Sequence, residues 1–255
     1  MNRLQLELAV QDAAGARVAR AVGADCVELC SALRATGGVT PSMATIEHAL
    51  AVGPLPVHVL VRCRPGPFVY THEELTTMGR DAVLAARAGA YGVVIGALTE
   101  AGAIDIDATI YLRDAVWAAM PTVQVSFHRA MDVAIASGQA AAAMDDLMRL
   151  GVARVLTSGA AARSIDGLAT LGRLAKQAAG RIQIVAGGGV RPEDVEALAR
   201  AGVDAVHMSA STSIARPGAS SGPGGGSSDA IDVTDQDAAR AAAAAVATVN
   251  AQARG

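Results

Sequence analysis

Eight short apolar runs recur along the chain: Leu4–Val10, Cys26–Leu29, Val57–Val61, Gly92–Ile95, Val123–Phe127, Arg154–Leu156, Ile182–Ala186 and Ala205–Met208. They are close to continuous in apolar character, the pattern of parallel strands covered on both faces. About 20–35 residues separate one run from the next, and helical stretches fill the intervals, as in βα units. The segments ARAVGADCVEL, AARAGAYGVVI, MRLGVARVL and ARAGVDAVHM share one grammar: a helical tail, a glycine (Gly23, Gly89, Gly151 or Gly202), a polar step, then a β-branched run. The residue after a helix often needs the left-handed conformation, which suits glycine. Thr71-His72-Glu73-Glu74 reads as a capping box opening a helix toward Ala88, and Arg191-Pro192-Glu193-Asp194 as a second helix start. Eight strands alternating with helices predict a single-domain (β/α)8 TIM barrel over residues 1–255. A doubly wound open sheet is the alternative, and pairing of the first strand with the eighth distinguishes the two.

After the eighth run, residues 213–230 are rich in Gly, Ser and Pro and predict a flexible loop. Helical character resumes with Thr234 as N-cap and extends over about 234–253, as a last barrel helix delayed by an insertion.

Composition narrows the function classes. A 255-residue chain that is 52% hydrophobic is enough for one large core. A formal charge of -3 supplies no basic patch, and 2% aromatics leave few stacking platforms, so nucleic acid is not an expected partner. The Ala/Val runs are broken by Arg, Asp or Gly before the ~18–20 residues that a membrane span needs. The N-terminus lacks the pattern of a signal peptide. Cys26, Cys30 and Cys63 are an odd number without secretory context, so they read as reduced thiols of a cytoplasmic protein.

The active site of a parallel barrel lies at the C-terminal ends of its strands. Those ends carry Glu28 and Cys30 after the second run, Arg62 and Arg64 after the third, and His128, Arg129 and Asp132 after the fifth. Thr157 and Ser158 follow the sixth, Gly187, Gly188 and Gly189 the seventh, and His207 and Ser209 the eighth; Glu7 sits within the first. Each group also has a structural explanation. Glu7 and Glu28 can be buried carboxylates paired with Arg62 or Arg64. His128 and His207 can be satisfied rim histidines. The triple glycine can be a tight turn as well as a cradle of amides for an anion. Cys30 can be a small buried hydrophobe as well as a thiolate ligand. Cys26 and Cys30 share a face, but their Cα atoms lie roughly 13 Å apart by strand rise, too far to chelate one ion.

The motifs GADCVELCSALRATGGVTPS, RCRPGPFVYTHEEL, SFHRAMD, RVLTSG and GGGV…HMSA together resemble the CutC family, in order from Glu7 to about Ser211. The resemblance implies a cytoplasmic, often self-associated TIM barrel that binds or handles copper. It maps the family's polar positions onto Glu7, Glu28, Cys30, Arg62, Arg64, His128, Arg129, Asp132, the three glycines and His207. Two departures stand out: Ala9 occupies a place where some relatives carry a cysteine, and Cys63 replaces a proline between the two arginines. Copper as Cu(I) would then rest on Cys30, with His207 as a second candidate ligand. The residues themselves also suit an enzyme on a small anionic or phosphorylated metabolite. In that reading Arg62, Arg64, Arg129, Thr157, Ser158, Ser209 and the glycines hold the anion, and His128 transfers a proton under the influence of Asp132 or Glu28. The sole lysine, Lys176, falls in a helix, which argues against Schiff-base chemistry. A noncatalytic binding barrel is the third alternative.

Overall fold

The computed structural model describes residues 3–215 and 230–253. Eight parallel strands close into a barrel in sequence order: β1 (Gln5–Val10), β2 (Cys26–Leu29), β3 (Val57–Leu60), β4 (Gly92–Ile95), β5 (Gln124–Phe127), β6 (Arg154–Thr157), β7 (Gln183–Gly187) and β8 (Ala205–Met208). Closure is made by β1 on β8, from Gln5 opposite Ala205 to Leu8 opposite Met208. The helices are α1 (Ala13–Ala21), α2 (Leu33–Thr36), α3 (Met43–Leu50), α4 (His72–Ala88), α5 (Ile106–Ala119), α6 (Ala130–Ala136), α7 (Ala140–Arg149), α8 (Leu168–Ala178), α9 (Val195–Arg200) and α10 (Gln236–Gln252). The closed barrel selects the (β/α)8 fold over the open sheet.

The local signals act as their chemistry requires. Thr71 Oγ1 accepts from the Glu74 amide, and Glu74 accepts from the Thr71 amide at 2.8 Å, so α4 begins on a full capping box. That helix ends at Gly89, whose φ of 105° is closed to side-chain-bearing residues without strain.

The region after β8 differs from the expected loop. Ser211–Ala215 (β9) and Ala230–Thr234 (β10) pair as an antiparallel ribbon. The N-cap of α10 is Asp235, whose carboxylate accepts from the amides of Asp237 and Ala238, rather than Thr234. Both flanks carry Thr, Ile or Val among the small residues, and such residues pair readily as strands. Most of the predicted loop, residues 216–229, lies outside the described residues.

The barrel wall separates two kinds of interior. Leu6, Leu8, Val27, Leu29, Val59, Ile95 and Phe127 join helix residues such as Met78, Leu112, Met144 and Leu171 in one large apolar core between sheet and helices. The other strand face points into the barrel, where apolar packing is confined to Cys30–Leu60–Val94 and Leu156–Val185–Ala205. The rest of that lumen is polar: Glu7, Glu28, His58, Ser126, His128 and Arg154 are all buried. Charge in such a place is costly unless it is paired or put to use.

Candidate functional site

The C-terminal mouth of the barrel holds a cavity of about 290 Å³. Glu28 and His207 line its floor. Leu60, Phe68, Arg62, His128 and Leu156 form walls, and Arg129, Gly188, Gly189 and Ser209 stand at the rim. Two-residue alternation explains the set: Glu28, Arg62, His128 and His207 all sit on the lumen-facing parity of their strands.

Beneath the floor runs a file of charged groups. Arg154, at the start of β6, reaches across the lumen and donates from Nη1 to Glu7 Oε2 at 2.5 Å. The other Glu7 oxygen is 2.8 Å from His207 Nδ1. Burial pushes the Glu7 carboxyl up, but the Arg154 guanidinium and the His207 bond outweigh it and hold the group well below its ordinary range. Burial likewise pulls His207 down, while the Glu7 bond and the charges of Glu28 and Glu7 leave it above its ordinary value. An ionised Glu7 therefore fixes a proton on His207 Nδ1 and turns Nε2 away from that bond.

Glu28 is the exception among the ionisable groups of this lumen. It is 6% exposed, lines the pocket, and makes no hydrogen bond among the described residues. Burial raises it to about 7, with the positive His207 working against that rise. A carboxyl in this state exchanges its proton near neutrality, beside an imidazole whose Nδ1 is held by Glu7.

Other predicted site residues have different placements. His128 is 5% exposed; its Nδ1 accepts from the Ala130 amide at 3.1 Å, and its ring lies 4.8 Å from that of Phe68. Burial, with the Arg62 charge, lowers it to about 3, which favours the neutral ring at physiological pH. Asp132 makes no hydrogen bond to it among the described residues. That carboxylate accepts from Thr157 Oγ1 at 2.5 Å, from the amides of Ser158 and Ala160, and from Arg129 Nε at 2.7 Å, stapling α6 to the β6 loop. Thr157 and Ser158 are buried in the staple and do not line the pocket; Ser158 Oγ accepts from Arg129 Nη2 at 3.0 Å. Arg62 reaches the cavity wall, but its Nη atoms donate to the carbonyls of Thr36, Gly38 and Gly66, which organises the loops. Arg64 lies outside the pocket, paired with Glu74 and stacked 4.9 Å from Tyr70. The strand ends at Leu60, so parity no longer aligns Arg64 with Arg62. Of the glycines, Gly187 packs on Leu156 and His207, whereas Gly188 and Gly189 face the pocket. The strand-end inventory missed Cys26, His58 and Arg154, which lie at or next to the first residues of their strands, on the parity already marked by Glu28.

The thiol chemistry does not fit Cu(I). Cys30 is fully buried among Leu60, Val94 and Leu33, and burial with the Glu28 charge raises its pKa, so it is a thiol when no ion is bound. No cluster of candidate ligands among the described residues contains two cysteines. Cys26 does lie near Glu7 and His58, but Arg154 Nη1 sits among the three, 3.7 Å from Cys26 Sγ and 3.4 Å from His58 Nε2. A guanidinium thus already supplies the positive charge there. The cluster of Glu7, Glu28 and His207 offers only oxygen and nitrogen donors, which Cu(I) does not favour.

Fold and site define a TIM barrel with a polar pocket at its C-terminal mouth, floored by a carboxyl and an imidazole. The chain belongs to the CutC family, whose model matches residues 4–212. It is 43% identical over 193 residues to a CutC family protein of Agrobacterium fabrum, covering 76% of this chain and 73% of the relative. It is 38% identical over 210 residues to one of Histophilus somni, covering 82% and 83%. Among solved structures it resembles a CutC protein of Streptococcus agalactiae described as a candidate copper homeostasis protein, with TM-score 0.73 and 30% identity, over 80% of this chain and 98% of that one. Among the described residues, no helix is long and apolar enough to cross a membrane.

Proposed function

We propose that this protein is an acid–base enzyme acting on a small anionic metabolite at the C-terminal mouth. One observation carries the reading: Glu28 is a buried carboxyl without a hydrogen bond, facing the cavity beside a histidine oriented by Glu7. Unpaired buried carboxyls are destabilising, and catalytic acids and bases are where such groups are retained. At the rim, the Gly188 and Gly189 amides and Arg129 Nη1 have no partner among the described residues. These donors suit a carboxylate or phosphate. A substrate anchored there presents its reacting carbon to the floor. Glu28 takes a proton from carbon next to a carbonyl while His207 Nε2 donates to the developing oxyanion; returning the proton elsewhere completes an isomerisation. With Lys176 on α8, no lysine is available to form a Schiff base.

Copper handling, the role in the description of the Streptococcus agalactiae relative, is the competing reading. The two part in experiment. Small carboxylates and phosphates are screened by thermal shift, and those that bind are incubated in heavy water with wild type, Glu28→Gln and Cys30→Ser. Protein-dependent deuterium incorporation, lost in Glu28→Gln and kept in Cys30→Ser, supports the enzyme. Failure of every compound to bind, together with stoichiometric anaerobic Cu(I) binding lost in Cys30→Ser, refutes it in favour of copper.

A further inference from the structure

The opposite end of the barrel carries a second polar cavity, of about 260 Å³, lined by Gln5, Asp25, Cys26, Pro56, His58, Tyr91, Gln124, Arg154 and Gln183. Gln5, Gln124 and Gln183 each begin a strand and are half-buried, so three carboxamides ring the entrance. Asp25 brings no free charge, because its oxygens take Arg3 Nη1 at 2.5 Å and the Leu6 amide at 2.8 Å. Deeper in lies Arg154, 4% exposed. Its Nη1 is committed to Glu7, yet Nε and Nη2 are buried without a partner among the described residues. These two nitrogens form one edge of the guanidinium, with parallel N–H bonds spaced for two carboxylate oxygens. His58, 2% exposed, lines the same cavity, with Nε2 3.4 Å from Arg154 Nη1 and Nδ1 packed on Gly92 without a hydrogen-bond partner among the described residues. A cation half-used, an imidazole half-used and a ring of amides make a site for an anion, and the fork geometry selects a planar one.

We propose that the N-terminal mouth of the barrel binds a small carboxylate, held bidentately by the Nε–Nη2 edge of Arg154 and steadied by His58 and the entrance glutamines. The two nitrogens do not touch bulk solvent, so entry requires the pocket wall to yield; that wall includes unbranched, half-buried glutamines. The site is separate from the catalytic reading of the upper pocket and does not depend on it. It does share a residue with the file below that pocket. A carboxylate on the outer edge of Arg154 competes with Glu7 for the same charge, which links occupancy at one mouth to His207 at the other.

The test is NMR of the imidazole resonances in the full-length protein, titrated with acetate and malonate against chloride and sulfate controls. Saturable shifts of His58 by acetate or malonate are expected. Affinity should fall at least about tenfold in Gln183→Glu, which places a competing carboxylate in the cavity and leaves Arg154 in place. Gln124→Trp, which fills the entrance, should do the same if Gln183→Glu fails to fold. The proposal is overturned if His58 shows no saturation up to tens of millimolar. It is overturned equally if chloride and sulfate act like the carboxylates, or if a folded variant binds as wild type does; water alone would then meet the guanidinium edge.

Discussion

His128 provides a direct test of the buried, neutral imidazole at the mouth. Its ring is closed in by Phe68 at 4.8 Å, by Gly96 and by the Arg62 charge, and Nε2 has no partner. Burial and Arg62 lower the pKa from 6.5 to about 3. A base with a depressed folded pKa binds fewer protons folded than unfolded, so its contribution to stability falls as pH drops below 6.5 and levels off near 3. At about 1.36 kcal/mol per unit, acidification from pH 7 to pH 4 removes roughly 3 kcal/mol through this one side chain. His128→Asn keeps an acceptor at the Nδ1 position for the Ala130 amide and cannot titrate. Urea unfolding of both proteins at the two pH values gives the effect as a double difference, in which the carboxylates cancel. Wild type should lose roughly 3 kcal/mol more than the variant. Equal losses would mean that His128 takes up its proton in the folded state at an ordinary pKa, and the neutral-wall assignment would be wrong.

The other buried groups give predictions of different sign. Glu28 is an acid whose folded pKa is raised from 4.5 to about 7, so its contribution to stability is present at low pH and is lost as pH rises across that window. Glu28→Gln should therefore gain on the order of 3 kcal/mol over wild type between pH 4 and pH 8 in urea melts. Arg154→Met leaves the buried Glu7 with His207 alone against its charge, at a cost of about 3–5 kcal/mol; adding Glu7→Gln should recover most of it, as thermal unfolding of single and double variants will report. A Cβ on Gly96 would lie 2.3 Å from His128 Cε1, so Gly96→Ala should destabilise by about 1–3 kcal/mol. His128→Ala in the same chain should relieve that strain, and an unperturbed single variant would contradict the packing.

The barrel and its helix junctions were legible because they depend on local chemistry. A capping box such as Thr71–Glu74, or a glycine such as Gly89, needs only its neighbours. The mouth was legible as a set of strand ends, which is how Glu28, Arg62, His128 and His207 came together. The roles within that set were not, because they depend on atoms brought together from distant strands. Asp132 and His128 are close in sequence, yet the chain turns between them into α6, and the carboxylate is spent on the β6 loop. Arg154 was hidden for the opposite reason: it begins a run that reads as apolar, and its partner Glu7 lies 147 residues away. A charged residue sharing lumen parity with another buried charge is the signal that would have found it. The β9–β10 ribbon was masked by the Gly, Ser and Pro between its strands, since composition averaged over residues 213–230 conceals the alternating flanks.

The lumen also weighs against a purely structural role. A barrel selected only for stability would fill its centre with branched apolar side chains, as the Leu156–Val185–Ala205 cluster does locally. Glu7 and Arg154 satisfy each other, so their pair is compatible with scaffold or site. Glu28 is not matched in this way. Its burial disfavours the charged form, the positive His207 offsets that only in part, and no donor reaches it among the described residues. Removing its charge should make the fold more stable at neutral and alkaline pH, and the proposed chemistry requires that the same change abolish proton exchange on any bound substrate. A Glu28→Gln protein that is both more stable and fully active would leave the carboxyl without a purpose. One that is more stable and inactive would identify the group for which this barrel gives up part of its stability.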